Sequence, residues 1–342
     1  MTARPGPAAL ALAALLLVAP GATAAPPHRF VVVIANNHSH DEAVKPLRYA
    51  DDDGVRYYEL FRLLSDRTTL FTVLDDETAR IYPAIARQAR PPVAAAILAT
   101  LERYNREMAR LARRGERSEL VLIYAGHGDR DASGEGYINL QDRRLRRRDL
   151  YKQVIAPSRA DFVHLIIDAC KSYYLVNRRG GWRDDRATDQ DEQIRAFLRR
   201  EDLAAYPRAG VILATSGDQE THEWTRYRGG ILSHELRSAI AGAGDINGDG
   251  RLEYSELHAF IAAANARVQH PQARLEIYAR APAANRSHPL VDLRQAERAR
   301  LLRFDRSLTG RFHLEDERGV RVVDLHKARG TRFDLAVDAR RA

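Results

Sequence analysis

The sequence predicts an α/β fold: a mostly parallel sheet flanked by helices on both faces, followed by a small C-terminal β-module. Three observations carry that prediction. Short runs rich in valine and isoleucine recur at residues 30–34, 70–73, 120–124, 163–167 and 211–214. They are apolar with little alternation, the pattern of strands buried on both faces. Segments with apolar residues at helical spacing, 50–64, 92–113 and 231–241, lie among them. After about Arg300 the pattern changes to an apolar–polar alternation around Gly319 and Gly330, which predicts three short strands.

The elements follow in order. The chain opens with Arg4, an apolar stretch from about Ala8 to Val18, and the small-residue step Ala22-Thr23-Ala24. This is the make-up of a secretory signal peptide, residues 1–24, with cleavage after Ala24; the apolar stretch is shorter than the ~20 residues of a spanning helix. No cysteine near the cleavage step could take a lipid, and no later run is long enough to cross a bilayer. The expectation is an exported protein, periplasmic or secreted. Residues 25–290 are then one large domain, and residues 291–342 a linker and the β-module. The helix at 50–64 opens with Asp51-Asp52-Asp53, which suits the positive end of a helix dipole, and Pro92 suits a first helical turn. Strands alternating with helices place chemistry at the carboxyl ends of the strands. Residues 177–193, NRRGGWRDDRATDQDEQ, are polar and without periodicity, so an exposed loop is expected.

Composition excludes some functions. The formal charge of +8 comes from 54 Lys and Arg against 46 Asp and Glu. The arginines are scattered among acidic residues and no basic stripe is interleaved with aromatics, so nucleic acid is not an expected partner. The one dense basic cluster, residues 143–148, is expected to be a solvated helix face near Asp149. The single cysteine, Cys170, cannot form an internal disulfide. Composition leaves it as a buried inert thiol, an intermolecular bridge or a reactive thiol.

Position narrows the choice. The run at 120–124 leads into Ala125-Gly126-His127-Gly128-Asp129, and the run at 163–167 leads into Asp168-Ala169-Cys170. Two consecutive strands ending in His and Cys would bring imidazole and thiol to one rim of the sheet. There the imidazole could maintain the thiolate and protonate a leaving amine. An acyl intermediate needs fixed donors for its oxyanion, and the backbone N–H groups of Gly128 and Cys170 are the natural ones.

These motifs, Ala-Gly-His-Gly and then Asp-Ala-Cys after successive hydrophobic strands, resemble the caspase and metacaspase superfamily of cysteine peptidases. The resemblance extends over most of residues 29–270: FVVVIANN at 30–37, LRYADDD at 47–53, and VILATSGDQE at 211–220 with Glu223 and Gly230-Ile231-Leu232-Ser233. It implies a caspase-like fold, His127 as general base and acid, and Cys170 as nucleophile. The chain departs from the metacaspase pattern at Cys170-Lys171-Ser172-Tyr173, where Cys-His-Ser-Gly is common, and at Ala125, where Ser is usual. Neither departure removes a catalytic group.

The resemblance also implies a specificity pocket. Caspases carry glutamine at the position of residue 168 and bind aspartate with the help of arginines; metacaspases carry aspartate there and bind arginine or lysine. This chain has Asp168, and a carboxylate at a pocket base both attracts a cation and repels an acid. Asp53 matches the helix-start aspartate of the family and is the expected second acidic wall, ahead of Asp51 and Asp52. The other reading of Asp53 is helix-start charge, and Arg48 is the group that would instead favour an acidic substrate. The expected partners are proteins or peptides cleaved after Arg or Lys. Arg178, Arg179, Arg183 and Arg186 make self-cleavage within the 177–193 loop an expectation.

A separate motif occupies residues 245–256, DINGDGRLEYSE. It fits the twelve-residue EF-hand loop: Asp245, Asn247, Asp249 and Glu253 at side-chain positions, the Arg251 carbonyl at position seven, Gly250 at the turn and Glu256 as bidentate ligand. Bound Ca²⁺ is expected, mainly as a structural stabiliser with some effect on activity. The rival reading of the whole chain is a catalytically silent caspase-like, calcium-binding scaffold.

Overall fold

The computed structural model describes residues 25–39, 44–169, 175, 202–214, 223–266, 277–296 and 298–338. The signal-peptide segment 1–24, Cys170 and the 177–193 loop lie outside the described residues. Strands β1 (His28–Asn36), β2 (Arg67–Phe71), β3 (Ser118–Gly126), β7 (Phe162–Asp168), β8 (Ala209–Ala214) and β12 (Ile277–Arg280) form one six-stranded sheet in the order β12-β8-β7-β3-β1-β2. All pairs are parallel except β12, which runs antiparallel to β8 at the edge. A smaller antiparallel sheet joins β4 (Gly128–Arg130), β5 (Gly136–Asn139) and β6 (Arg144–Arg146).

The uniformly apolar strands divide their side chains between two cores. In β1, Phe30, Val32 and Ile34 face one side, Val31 and Val33 the other, and none is more than 1% exposed. Helix α2 (Ala94–Arg113) and the helical segment 147–155 cover the Phe30 face. Helices α1 (Ala50–Leu64), α3 (Ile231–Ser238) and α4 (Tyr254–Asn265) cover the Val31 face. The resulting architecture is the mixed α/β, caspase-like one that the sequence predicts, with both faces of a mostly parallel sheet occupied.

Helix α1 sits unusually close to β1. A Cβ on Gly54 would overlap the Ala35 side chain, so glycine is what lets the helix approach. The chain entering it is held from a distance: the backbone N–H groups of Arg48 and Tyr49 donate to the Glu223 carboxylate at 2.9 and 2.7 Å. Glu223 belongs to β9 (Glu223–Trp224), which pairs with β10 (Gly229–Gly230) just before α3.

Several elements differ from the sequence expectation. The second strand begins earlier, at Arg67, because the register with β1 starts at Phe30↔Arg67; Val73 lies beyond it, half-exposed. Residues 143–148 are not one solvated helix face. Arg144 and Arg146 belong to β6, Arg147 is buried at the start of a helical turn, and the Arg144 guanidinium covers the Tyr137 ring at 4.6 Å. At the C-terminus there are four strands instead of three: β14 (Arg300–Phe304), β15 (Gly310–Glu315), β16 (Arg321–Lys327) and β17 (Phe333–Val337). They pair antiparallel as β14–β17 and β15–β16. The first was hidden because Leu301 and Leu302 stand side by side, both exposed, and break the alternation.

The main core reaches past residue 290. Leu290, Val291, Leu293 and Ala296 pack into the Val31 face, and β13 (Val291–Asp292) pairs with β11 (Arg251–Leu252). The C-terminal strands build their own cluster from Phe304, Val323, Leu325, Phe333 and Leu335, which closes on Ala241 and Ala243 after α3. Among the described residues no helix is long and apolar enough to cross a membrane.

Candidate active site

His127 follows β3 directly, and β3 lies beside β7 in parallel register. Ala125 pairs with Asp168; His127 and Cys170 each come two positions later in the sequence. Gly126, φ +156°, makes the turn out of the strand, and a Cβ there would meet the Tyr124 hydroxyl at 2.7 Å and the Asn36 carbonyl at 2.8 Å. The backbone of His127 is fixed on its other side. Its carbonyl accepts from the Asn139 N–H at 3.0 Å, and the Tyr124 hydroxyl lies 2.7 Å from it and 2.9 Å from the Asn139 carbonyl. Asn36 Nδ2 also donates to the Asn139 carbonyl, at 3.1 Å.

Gly128 starts β4 opposite Ile138. The neighbouring pair, His127 with Asn139, carries the ladder bond, so Gly128 occupies a non-hydrogen-bonded position whose N–H points away from β5. That orientation is what an oxyanion donor needs.

Asp168 and Asp53 come together around Gly230. A Cβ on Gly230 would lie 3.2 Å from Asp168 Oδ2 and 3.3 Å from Asp53 Oδ2. The two carboxylates are held differently. Asp53 Oδ2 accepts from the Gly230 N–H at 2.7 Å and Oδ1 from Arg237 Nη1 at 2.5 Å, so both oxygens are occupied and its charge is matched. Asp168 Oδ2 accepts from Ser233 Oγ at 2.6 Å, whereas Oδ1 is buried with no hydrogen-bond partner among the described residues. Burial pushes the Asp168 pKa up to about 6, the nearby Asp53 adds to the shift, and the Ser233 bond opposes it.

The other acids of the α1 start hold the scaffold. Asp51 accepts from Asn37 Nδ2 and the Asp75 N–H, and Asp52 from Thr78 Oγ1. Arg48 is exposed and lies over the Tyr49 ring, 5.0 Å from its centroid.

The sequence profile described as "Caspase domain" matches residues 28–293, the whole of the six-stranded sheet and the helices that cover it. The chain belongs to the caspase-domain family. Comparison with curated proteins gave no match. Among solved structures, a protein of Geobacter sulfurreducens is similar at 14% identity and a TM-score of 0.44, covering 74% of this chain and 93% of that one. Caspase-1 of Spodoptera frugiperda is similar at 12% identity and TM-score 0.39, covering 75% and 87%, and pro-sf-caspase-1 at 13% and 0.36, covering 74% and 84%.

Within this caspase domain the loop 245–256 is tightly organised by its own carboxylates. Asp245 accepts from the N–H groups of Gly248, Asp249 and Gly250 at 2.8–3.0 Å, and Glu256 from those of Ile246, Asn247 and Glu253 at 3.0–3.2 Å. Asn247 Oδ1 takes the Asp249 N–H at 2.8 Å, and Asp249 Oδ1 the Arg251 N–H at 2.9 Å. Glu253 starts α4 as its N-cap. Gly250 has φ +82°, as the sixth position of such a loop requires. Burial raises the pKa values of Asp245 and Glu256, and repulsion from Asp249 raises them further.

Residues that sequence reasoning missed are those acting through others: Tyr124, Asn36 and Asn139 around the His127 carbonyl, and Ser233 and Arg237 on the two aspartates. Ser233 lay within the quoted Gly-Ile-Leu-Ser motif. Arg237 had no signal beyond its helical spacing from Ser233 on one face of α3.

Proposed function

We propose that this caspase-family protein is an exported cysteine endopeptidase in which His127 and Cys170 hydrolyse peptide bonds after arginine or lysine. The observation that carries the specificity is the Asp168 carboxyl, buried with Oδ1 unpartnered among the described residues. Such a group is costly to ionise alone and rewards a cation. Asp53, neutralised by Arg237, shapes the wall through Gly230 and contributes less charge. With the substrate cation on Asp168, the Cys170 thiolate adds to the scissile carbonyl carbon and the oxyanion is received by the N–H groups of Gly128 and Cys170. His127 then passes a proton to the leaving amine as the C–N bond breaks. Water, deprotonated by His127, displaces the thiolate from the acyl enzyme.

The test is hydrolysis of matched fluorogenic peptides ending in Arg, Lys or Asp, with Cys170→Ala as blank. Cleavage after Arg or Lys that is absent from the blank is expected. Cleavage only after Asp would overturn the pocket assignment and turn attention to Arg48. No cleavage of any peptide, with Cys170 no faster to label than an ordinary thiol, would favour a silent scaffold. Self-cleavage within 177–193 belongs to the same reading and fails if wild-type and Cys170→Ala chains keep the same intact mass on incubation.

We also infer that the loop 245–256 holds calcium. The donors are all oxygens, and the carboxyls of Asp245 and Glu256 are pushed toward protonation by burial and crowding, which a hard divalent cation would relieve. Asp245, Asn247, Asp249, Glu253, Glu256 and the Arg251 carbonyl would hold the ion, whose contribution when bound is charge neutralisation.

A further inference from the structure

A second set of buried polar side chains lies near the amino ends of the strands, roughly 25 Å along β3 from His127 at ~3.3 Å per residue. Glu119 and His164 sit on adjacent strands. Because Val121 pairs with His164, Glu119 and His164 project from the same face of the sheet. His288, in the turn after β12, completes the group. Its ring stacks on Phe162 at 3.8 Å and its Nε2 lies 2.9 Å from Glu119 Oε1. Among the described residues this is the trio of His, Cys, Asp or Glu side chains whose donor atoms all lie within 4.8 Å of one another.

The surroundings are built to hold these groups in place. Tyr254 Oη meets His164 Nδ1 at 2.8 Å, reaching it across Gly210, where a Cβ would collide with the phenol. Arg29 donates through Nε and Nη2 to Glu119 Oε2, at 3.0 and 2.6 Å, leaving Oε1 to face the histidines. His164 is fully buried, yet its Nε2 has no hydrogen-bond partner among the described residues. With Nδ1 engaged by the tyrosine, that atom is an unused donor or lone pair in the interior.

We propose that Glu119, His164 and His288 form a binding site for a zinc-type divalent transition metal, with Glu119 Oε1 and the Nε2 atoms of the two histidines as ligands. The partners on the far sides of the ligands, Tyr254 on His164 Nδ1 and Arg29 on Glu119 Oε2, are the outer contacts that orient metal-binding imidazoles and carboxylates. Two imidazoles with one carboxylate oxygen suit zinc, cobalt or nickel and disfavour calcium or magnesium, so the site does not compete with the loop 245–256 for its ion. Tetrahedral ligands at ~2.0–2.1 Å from zinc stand about 3.3 Å apart. The trio therefore closes by about 1.5 Å at most. His288, in the turn after β12 with its side chain 11% exposed, is the least buried of the three ligands and the one nearest solvent. Binding breaks the His288–Glu119 hydrogen bond, the proton on His288 Nε2 passing to Nδ1 or to solvent, and leaves a fourth position for water.

The experiment uses the full chain carrying Cys170→Ala, stripped of metal and kept in excess Ca²⁺, so that neither a His127–Cys170 pair nor the calcium loop reports. Co²⁺ is titrated in and followed by its visible absorption, then displaced with Zn²⁺. One equivalent with the intense bands of four-coordinate cobalt is expected. Affinity should fall at least about tenfold when His288→Phe, which keeps the stack on Phe162, is added. His164→Gln gives a second loss in the interior. Absence of saturable binding, or equal binding with His288→Phe, overturns the proposal; neither result bears on the peptidase reading.

Discussion

A carboxyl buried in the interior beside a second carboxylate destabilises the native state when it ionises, and Asp168, 4% exposed beside Asp53 and with Oδ1 unpartnered among the described residues, is such a group. Its native pKa of about 6 lies above the unfolded value near 3.9, so the native state binds more protons across that window. Stability is therefore present below about pH 4 and is lost as pH rises through 6. Asp168→Asn should raise thermal stability at pH 8, by about 3 kcal/mol at most, and leave it unchanged near pH 3. The same change should lower kcat/KM for Arg peptides by about a hundredfold, the loss of one charge-assisted pair in a buried site. In the wild type, Arg cleavage should fall as pH drops below about 6. Thermal unfolding and a pH–rate profile check these together. Asp168 was singled out in the sequence through the family resemblance, which places a pocket residue two positions before the cysteine. Arg237, which cancels the charge of Asp53, was not, since an arginine on an amphipathic helix has no sequence mark that tells an ion pair from a solvated surface.

At the scale of elements, the candidate site depends on how strand ends are held. Tyr124 projects from β3 to the carbonyls of His127 and Asn139, so Tyr124→Phe should cost about 1 kcal/mol of stability, one hydrogen bond's worth. It should lower kcat more than it raises KM, because it loosens His127 and leaves the pocket intact; steady-state kinetics separate the two. The short pair β9–β10 has a different task, bringing Gly230 between the carboxylates while Glu223 holds the chain entering α1. Gly230 has φ −66°, ordinary for any residue, so Gly230→Ala tests space and not backbone strain. A methyl there would crowd both aspartates, and the expected outcome is a KM for Arg peptides raised about tenfold with little change in melting temperature. Strands β1, β3, β7 and β8 were legible because burial on both faces demands unbroken apolar runs. Strand β12 and the residues of β4 to β6 were not, since each is only three or four residues long, too short for an apolar run or an alternation to show.

Over the whole molecule, α3 joins three regions. Ser233 and Arg237 hold Asp168 and Asp53, while His234 Nε2 lies 2.9 Å from Asp324 of β16, and the Ser238 hydroxyl accepts the Asp324 N–H at 3.1 Å. The segment after α3 leads into the loop 245–256, where a Cβ on Gly248 would press on the Arg332 carbonyl. The C-terminal strands thus pack against both α3 and the proposed calcium loop. Calcium removal should lower the melting temperature by several degrees, corresponding to about 1–3 kcal/mol of ligand stabilisation. Glu256→Gln should abolish the calcium-dependent part, and differential scanning fluorimetry with chelator reads both.

The sequence by itself determined the sheet and its two covering layers, the approach of the β3 and β7 ends that carry His127 and lead to Cys170, and the spacing of the loop 245–256. Each follows from a local pattern: uninterrupted β-branched runs, glycines around a histidine, oxygen-bearing residues at alternate positions. Only the tertiary structure decided what holds Asp51 and Asp52, that Arg237 offsets Asp53, and that Glu119, His164 and His288 converge beneath Tyr254. Those outcomes depend on contacts between residues far apart in the chain, where packing and charge compensation set the partners and no local period records them.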